Sequence, residues 1–448
     1  MSLLIKSGRI VDPLQGLNSI ADIRLNNSVV DALGVDIEPF PDDQILDASG
    51  LVVCPGFIDL HCHLREPGQE IKETVATGTT AAAKGGFTTV CAMPNTIPPI
   101  DHAGLVGWLQ DIIRKEALVK VLPIACVTLG RSGTALVDMR RLSDAGVIGF
   151  SDDGSPVWDD DLMRMALTSA NQLGLPVINH CEDLQISMTG VMNEGPVADM
   201  LGLPGISTSA ETNMVSRDIE IAELTGAWLH LAHMSTSGSV DLVRKAKDRG
   251  VSITAEVTPH HLTITDEWAI TGDSPGSSYR SQSYHGYNTN AKVNPPLRSR
   301  DDVEALIEGL KDGTIDCVAT DHAPHTFSDK RVEFREAAMG ISGLETALGS
   351  LMGLVHSGRI DLSTLIRRLT VGPSNILKRP KEFPASLKIG VPADVTVLDL
   401  GRKWVVDSNN FSSKGKNTPI DGSLLTGKVV ATLVDGRLIY RDEAVKFV

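Results

Sequence analysis

Residues 51–64, LVVCPGFIDLHCHL, read as a β-strand that is apolar at nearly every position and ends on two histidines. A strand of that kind is buried on both faces, as in a parallel sheet covered by helices. Seven further runs share the pattern: Phe87 to Pro94, Val119 to Leu129, Val147 to Gly154, Leu175 to Asp183, Ala227 to Ser235, Val251 to Leu262 and Ile315 to His325. Helical spacing fills the gaps between them. In SRDDVEALIEGL, for example, Val303, Leu306, Ile307 and Leu310 recur at i, i+3, i+4, i+7 behind Ser299 as N-cap, and Gly313 marks the end. Gly250 sits at a second such helix end. Eight strand-helix units predict an α/β fold, a (β/α)8 TIM-type barrel. No GxGxxG follows the first strand, so nothing points to a dinucleotide fold.

The flanks differ. Residues 1–54 and 388–448 carry short alternating runs with turn signals, including Asp435-Gly436 as a type I′ hairpin, and read as antiparallel β. Both ends are expected to form one small composite β-sandwich domain, with residues 55–387 as the barrel. The stretch from Thr265 to Asn290 is rich in Ser, Gly and Tyr and reads as a long loop over the barrel mouth.

The 448 residues are 42% hydrophobic and carry a net charge of -15, which argues for a globular protein and against a nucleic-acid or anionic-membrane partner. No signal peptide or membrane span is legible, and the expected location is cytoplasmic. The six cysteines show no CxxC spacing and read as free, buried thiols, with Cys62 and Cys181 facing away from their neighbouring histidines.

Chemistry gathers at the strand ends. His61 and His63 are two residues apart, so a strand aims both imidazoles to one side, as two ligands of one metal require. Asp153, His180, His233 and Asp321 end four other runs and would converge with them on the barrel mouth. Four histidines and two carboxylates suit zinc, and a pair of such ions lowers the pKa of bound water towards ~7 and polarises a carbonyl. Asp321 is the candidate acid/base and Asp153 the candidate bridge, with Asp152 as its rival. For Arg65, a carboxylate grip stands beside a surface salt bridge; for Asn95 and Asn294, a turn role is the alternative. His260, His261 and His322 are expected to be supporting or structural, the first two pointing opposite ways in a strand.

The motifs HCHLREPG, MPNT, GFSDDG, NHCED, LAHMS, TPHHL, NPPLR and TDHAPH, in this order, resemble the amidohydrolase superfamily and within it the long-chain bacterial dihydroorotase family. The resemblance spans nearly the whole chain. It implies a cyclic amide hydrolase of pyrimidine biosynthesis that holds one or two zinc ions on His61, His63, Asp153, His180, His233 and Asp321. It further implies that Arg65, Asn95 and His325 hold the substrate carboxylate and that Asn294 contacts the ring. Related cyclic amidases commonly bridge their metals with a carboxylated lysine at strand four, but no lysine occurs between Lys120 and Lys245. The expected partner is a small molecule, with a homodimer and an association with aspartate carbamoyltransferase left open. Two other readings compete: a sister enzyme acting on allantoin, hydantoin or a dihydropyrimidine, and a catalytically dead structural subunit, which would be expected to have lost ligands.

Overall fold

The computed structural model describes residues 2–270, 287–443 and 445–447. Most of the long Thr265 to Asn290 stretch therefore lies outside the described residues.

Gly56 divides the first run. Val52–Pro55 joins an outer sheet and Phe57–Cys62 an inner one, so the single strand read from sequence is two. The junction needs a glycine: a Cβ at residue 56 would stand 2.2 Å from Thr88 Oγ1. Inside, Phe57–Cys62, Phe87–Ala92 and Lys120–Pro123 pair in parallel. So do Val177–Asn179, Leu229–Leu231, Ile253–Val257 and Cys317–Val318. The Val147 to Gly154 run holds no strand among the described residues, yet Phe150 makes parallel bridges to Ala125 on one side and Val177 on the other. Cys62 and His322 make a further parallel bridge between the first and last of these segments. Asp59 reinforces that junction by accepting from Thr320 N and Thr320 Oγ1 at 2.8 and 2.5 Å; burial pushes its carboxyl up to about 6.

Helices occupy the crossovers. Ser299 accepts from Asp302 N to start Arg300–Asp312, and Gly313 ends that helix in the left-handed region at φ 93°. The apolar faces of the helices and the outward faces of the strands share one large buried cluster. Ile58, Leu60, Cys91, Met93, Ile124, Ile148, Ile178 and Cys317, drawn from successive segments, form a separate one.

Both chain ends contribute to one nine-stranded sheet. Its main path runs Arg437–Arg441, Leu424–Val434, Val395–Val405, Val52–Pro55, Ser2–Asp12, Leu17–Asn26, Val29–Gly34. The flanks are not purely antiparallel as expected: Ser2–Asp12 pairs in parallel with both Asp43–Asp47 and Val52–Pro55. One long strand serves two neighbours in succession, Ser2 to Lys6 facing one and Arg9 and Ile10 the other, with a break in its register between Ile5 and Gly8, where Ser7 takes φ 59°. The sheet has its own apolar core, including Ile5, Ile23, Val53, Val395 and Leu433. Asp435 and Gly436 both take positive φ, 47° and 73°, at its last hairpin. All six cysteines are free and buried. No described helix is long and apolar enough to cross a membrane.

Candidate metal centre and substrate end

His61, His63, Asp153, His180, His233 and Asp321 come from five of these segments, and the structure brings all six together with none more than 5% exposed. Asp153 faces every histidine of the set: its Oδ1 lies 3.4 Å from His61 Nε2, 3.7 Å from His233 Nε2 and 3.8 Å from His180 Nδ1, and its Oδ2 lies 3.6 Å from His63 Nε2. Asp321 Oδ1 is 3.1 Å from His63 Nε2 and 3.6 Å from His61 Nε2. His180 Nδ1 approaches His233 Nε2 at 2.9 Å. His233 and Asp321 take positive φ, 37° and 45°, just past the strands that deliver them. Such backbone is strained for residues with a Cβ and turns each side chain from the strand direction into the cluster.

The donors fit a metal. Two atoms each ~2.1 Å from a tetrahedral ion stand ~3.4 Å apart, close to the spacings above. His61, His63 and Asp321 form one compact triad and His61, Asp153 and His233 another, the ligand atoms of each within 4.8 Å of one another. His61 Nε2 is buried without a hydrogen-bond partner. Burial opposes charge on both carboxylates, yet the surrounding histidines hold Asp153 and Asp321 well below the usual carboxylate range. The cluster is thus built to receive positive charge.

The nitrogens of three histidines that face away from the cluster are held. Glu256 Oε1 sits 2.8 Å from His61 Nδ1, Asn95 Oδ1 2.8 Å from His63 Nδ1 and Glu182 Oε2 2.9 Å from His180 Nε2. Burial disfavours their charge, but their histidine partners bring Glu182 and Glu256 down to about 2. Asp152 points elsewhere, accepting from Val127 N, Thr128 N and the Thr128 hydroxyl. Sequence reading missed Glu182 and Glu256. The first lies two residues after His180, the spacing that puts side chains on one side of a strand, and the second is an acid inside an apolar strand. His260 and His261 lie in a short helix, Pro259–Thr263, capped by Thr258, rather than in a strand. Pro at the first helical position behind a threonine is a helix-start signal, and here it outweighed the apolar run. His261 bonds Thr258 Oγ1 and the Pro295 carbonyl, while His322 bonds Glu73.

A family model described as dihydro-orotase-like matches residues 50–239. Over 444 residues, 99% of this chain and all of the relative, the sequence is 47% identical to a dihydroorotase of Syntrophus aciditrophicus. It is 46% identical to a dihydroorotase of Pelotomaculum thermopropionicum over the full length of both chains. The chain belongs to the dihydroorotase family. Among solved structures, the L-hydantoinase of Arthrobacter aurescens superposes with a TM-score of 0.85 at 24% identity over 99% of this chain and 97% of that one. The dihydropyrimidinase of Brevibacillus agri gives 0.82 at 22%, over 100% and 96%. These two show that the dihydroorotase-family chain shares their α/β barrel-type fold.

The segment just past His63 brings cationic groups. Arg65, 8% exposed and at φ 61°, lies two residues past His63 and directs Nε to the Pro324 carbonyl at 3.3 Å and Nη2 towards His325 at 3.4 Å. Burial lowers the guanidinium only to about 10, so it stays charged at neutral pH. Burial and the cations Arg65, Lys330 and Lys72 push His325 down to about 2. Its neutral ring donates from Nε2 to the Met339 carbonyl at 2.9 Å and accepts from Lys72 Nζ at Nδ1, 3.3 Å. The two asparagines have partners of their own: Asn95 Nδ2 donates to Asp153 Oδ2 at 3.0 Å, and Asn294 Nδ2 donates to Glu182 Oε2 at 2.8 Å.

Proposed function

We propose that the six-residue cluster is the zinc centre, and Arg65 with His325 the carboxylate end, of a cyclic amide hydrolase. The chain is a dihydroorotase: it interconverts (S)-dihydroorotate and N-carbamoyl-L-aspartate in de novo pyrimidine biosynthesis. The observation that carries the site reading is a single carboxylate, Asp153, facing four histidines. When bound, one or two zinc ions supply a Lewis acid for the ring carbonyl and a more acidic water.

The protein's own groups do the rest. Burial opposes ionisation of Asp321, but its contact with His63 and the other histidines around it hold it below the usual carboxylate range, so its carboxylate begins hydrolysis as a base. Asp321 takes a proton from the attacking water as the C–O bond forms and delivers it to the ring nitrogen as the C–N bond breaks. The new carboxyl then ionises and its proton leaves to solvent; ring closure retraces these steps. Arg65 grips the substrate carboxylate, which holds the ring carbonyl over the cluster. Asn95 joins Arg65 and His325 in holding the carboxylate and Asn294 contacts the ring, each amide being tied to a member of the cluster or its support.

The architecture we assign is a closed (β/α)8 barrel over 55–387, supported by the bridges of Phe150 and Cys62, with a composite β-sandwich from 1–54 and 388–448, supported by its separate core. We place the enzyme in the cytoplasm, with a small-molecule substrate as its partner.

The test is dihydroorotate consumption by the purified protein, with metal content measured on the same sample and a chelated control. Activity that tracks bound zinc supports the reading; an uncharged hydantoin turned over in preference to dihydroorotate overturns the substrate. Arg65→Ala is expected to lower kcat/KM about 10- to 150-fold, the ~1.5–3 kcal/mol of a charged hydrogen bond. An unchanged kcat/KM removes Arg65 from the carboxylate end.

A further inference from the structure

Beneath His61 a line of polar side chains continues into the interior. Glu256 lies in the Ile253–Val257 strand, wholly buried. Its Oε1 is 2.8 Å from His61 Nδ1 and 3.3 Å from the His233 amide; its Oε2 is 3.1 Å from His230 Nε2. His230, also wholly buried, places Nδ1 2.8 Å from Thr254 Oγ1, and that hydroxyl oxygen accepts from Trp228 Nε1 at 3.4 Å.

With both imidazoles neutral, as a ligating His61 must be, counting protons fixes the direction of every bond. A carboxylate only accepts, so His61 Nδ1 and His230 Nε2 both carry hydrogens. His230 Nδ1 is then bare and accepts from the Thr254 hydroxyl, whose oxygen is free to take the indole N–H. His61, protonated at Nδ1, keeps its lone pair on Nε2, the buried nitrogen without a partner that looks at Asp153 and Asp321. His230, Glu256 and Cys317 lie close enough together to suggest a second metal site, but both oxygens of Glu256 and both nitrogens of His230 are already satisfied. Burial also holds the Cys317 thiol well above its ordinary value, so it stays protonated.

We propose that Glu256 is a positioning residue of the metal centre: it locks His61 into the form that ligates through Nε2, and His230 with Thr254 clamps its other oxygen. The negative charge behind the imidazole strengthens it as a donor, and the clamp keeps the carboxylate from rotating away. This inference rests on the reading above in which His61 is a ligand.

Glu256→Gln preserves shape and removes the charge. One orientation of the amide still accepts from His61, while its NH2 group requires His230 to become an acceptor and turn its proton towards Thr254. The expected result is a 10- to 100-fold weaker zinc affinity at one site in chelator competition, a lower kcat, an unchanged KM for dihydroorotate and an unchanged melting temperature of the chelated protein. His61→Asn, measured alongside, separates the two ideas. If His61→Asn keeps full zinc affinity, the ligand reading fails and this one with it. If His61→Asn loses zinc while Glu256→Gln binds it like wild type, only the role of Glu256 is overturned. Should Glu256→Gln not fold, nitrogen-15 spectra of zinc-loaded wild-type protein decide: zinc on His61 Nε2 with a proton on Nδ1 is expected, and zinc on Nδ1 refutes the proposal.

Discussion

Asp321→Asn is expected to cut kcat for dihydroorotate by about 10³-fold or more while the protein still folds. The magnitude follows from removing a group that both takes and returns the proton, within the range of ~10²–10⁴ for general acid-base catalysis. Asparagine is the informative replacement because residue 321 sits at φ 45°. Asparagine visits that region readily, whereas alanine pays ~1–2 kcal/mol of backbone strain, which would blur a chemical loss with a structural one. The measurement is kcat together with the melting temperature of the chelated protein. A variant within fivefold of wild-type kcat would refute the acid/base role, and a normal kcat with raised KM would recast Asp321 as a binding residue.

Asp153→Ala is expected to lose metal as well as turnover, with bound zinc per chain falling and kcat/KM dropping at least ~10³-fold. One carboxylate faces four histidines and also accepts from Asn95, so its removal leaves donors with nothing central to face. Excess zinc is not expected to restore the rate. Its neighbour provides the contrast. Asp152→Asn, where three donors lose a charged acceptor, is expected to destabilise by about 2–4 kcal/mol and leave zinc content near wild type. Equal zinc loss in both variants would mean that the two aspartates act as one structural unit and that Asp153 has no separate ligand role.

Much of this was legible from residue types and spacing, because the fold places strand ends together: five of the six residues sit at or just beyond strand ends, and Asp153 lies three residues past the bridges of Phe150. Period two pointed both His61 and His63 into one cluster, and hairpin chemistry placed Asp435 and Gly436. Local pattern failed where tertiary pairing decides. The Leu51 to Leu64 run reads as one strand, yet it passes from one sheet to another at Gly56, where Thr88 leaves no room for a Cβ. In GFSDDG only Phe150 bridges to its neighbours, and the chain leaves the strand direction to bring Asp153 inward. Thr258 and Pro259 begin a helix that the surrounding apolar residues disguise. Glu256 escaped notice because its meaning depends on His61, 195 residues away in sequence. Asn95 and Asn294 show the reverse: motif resemblance singled them out, and the structure adds the bonds by which each is tied to the six-residue cluster or its support.

The sheet made from both chain ends also sets a timetable for synthesis. Val52–Pro55 pairs on one edge with Ser2–Asp12, available at once, and on the other with Val395–Val405. Cys54 meets Thr396 342 residues later, so at about 5–20 residues per second that edge waits roughly 17–68 s for its partner. During that interval an apolar strand with unpaired backbone groups adjoins the segment that carries His61, a natural template for pairing with another nascent chain. Shielding the newborn N-terminal third until the last strands emerge is therefore a requirement that this architecture places on the cell.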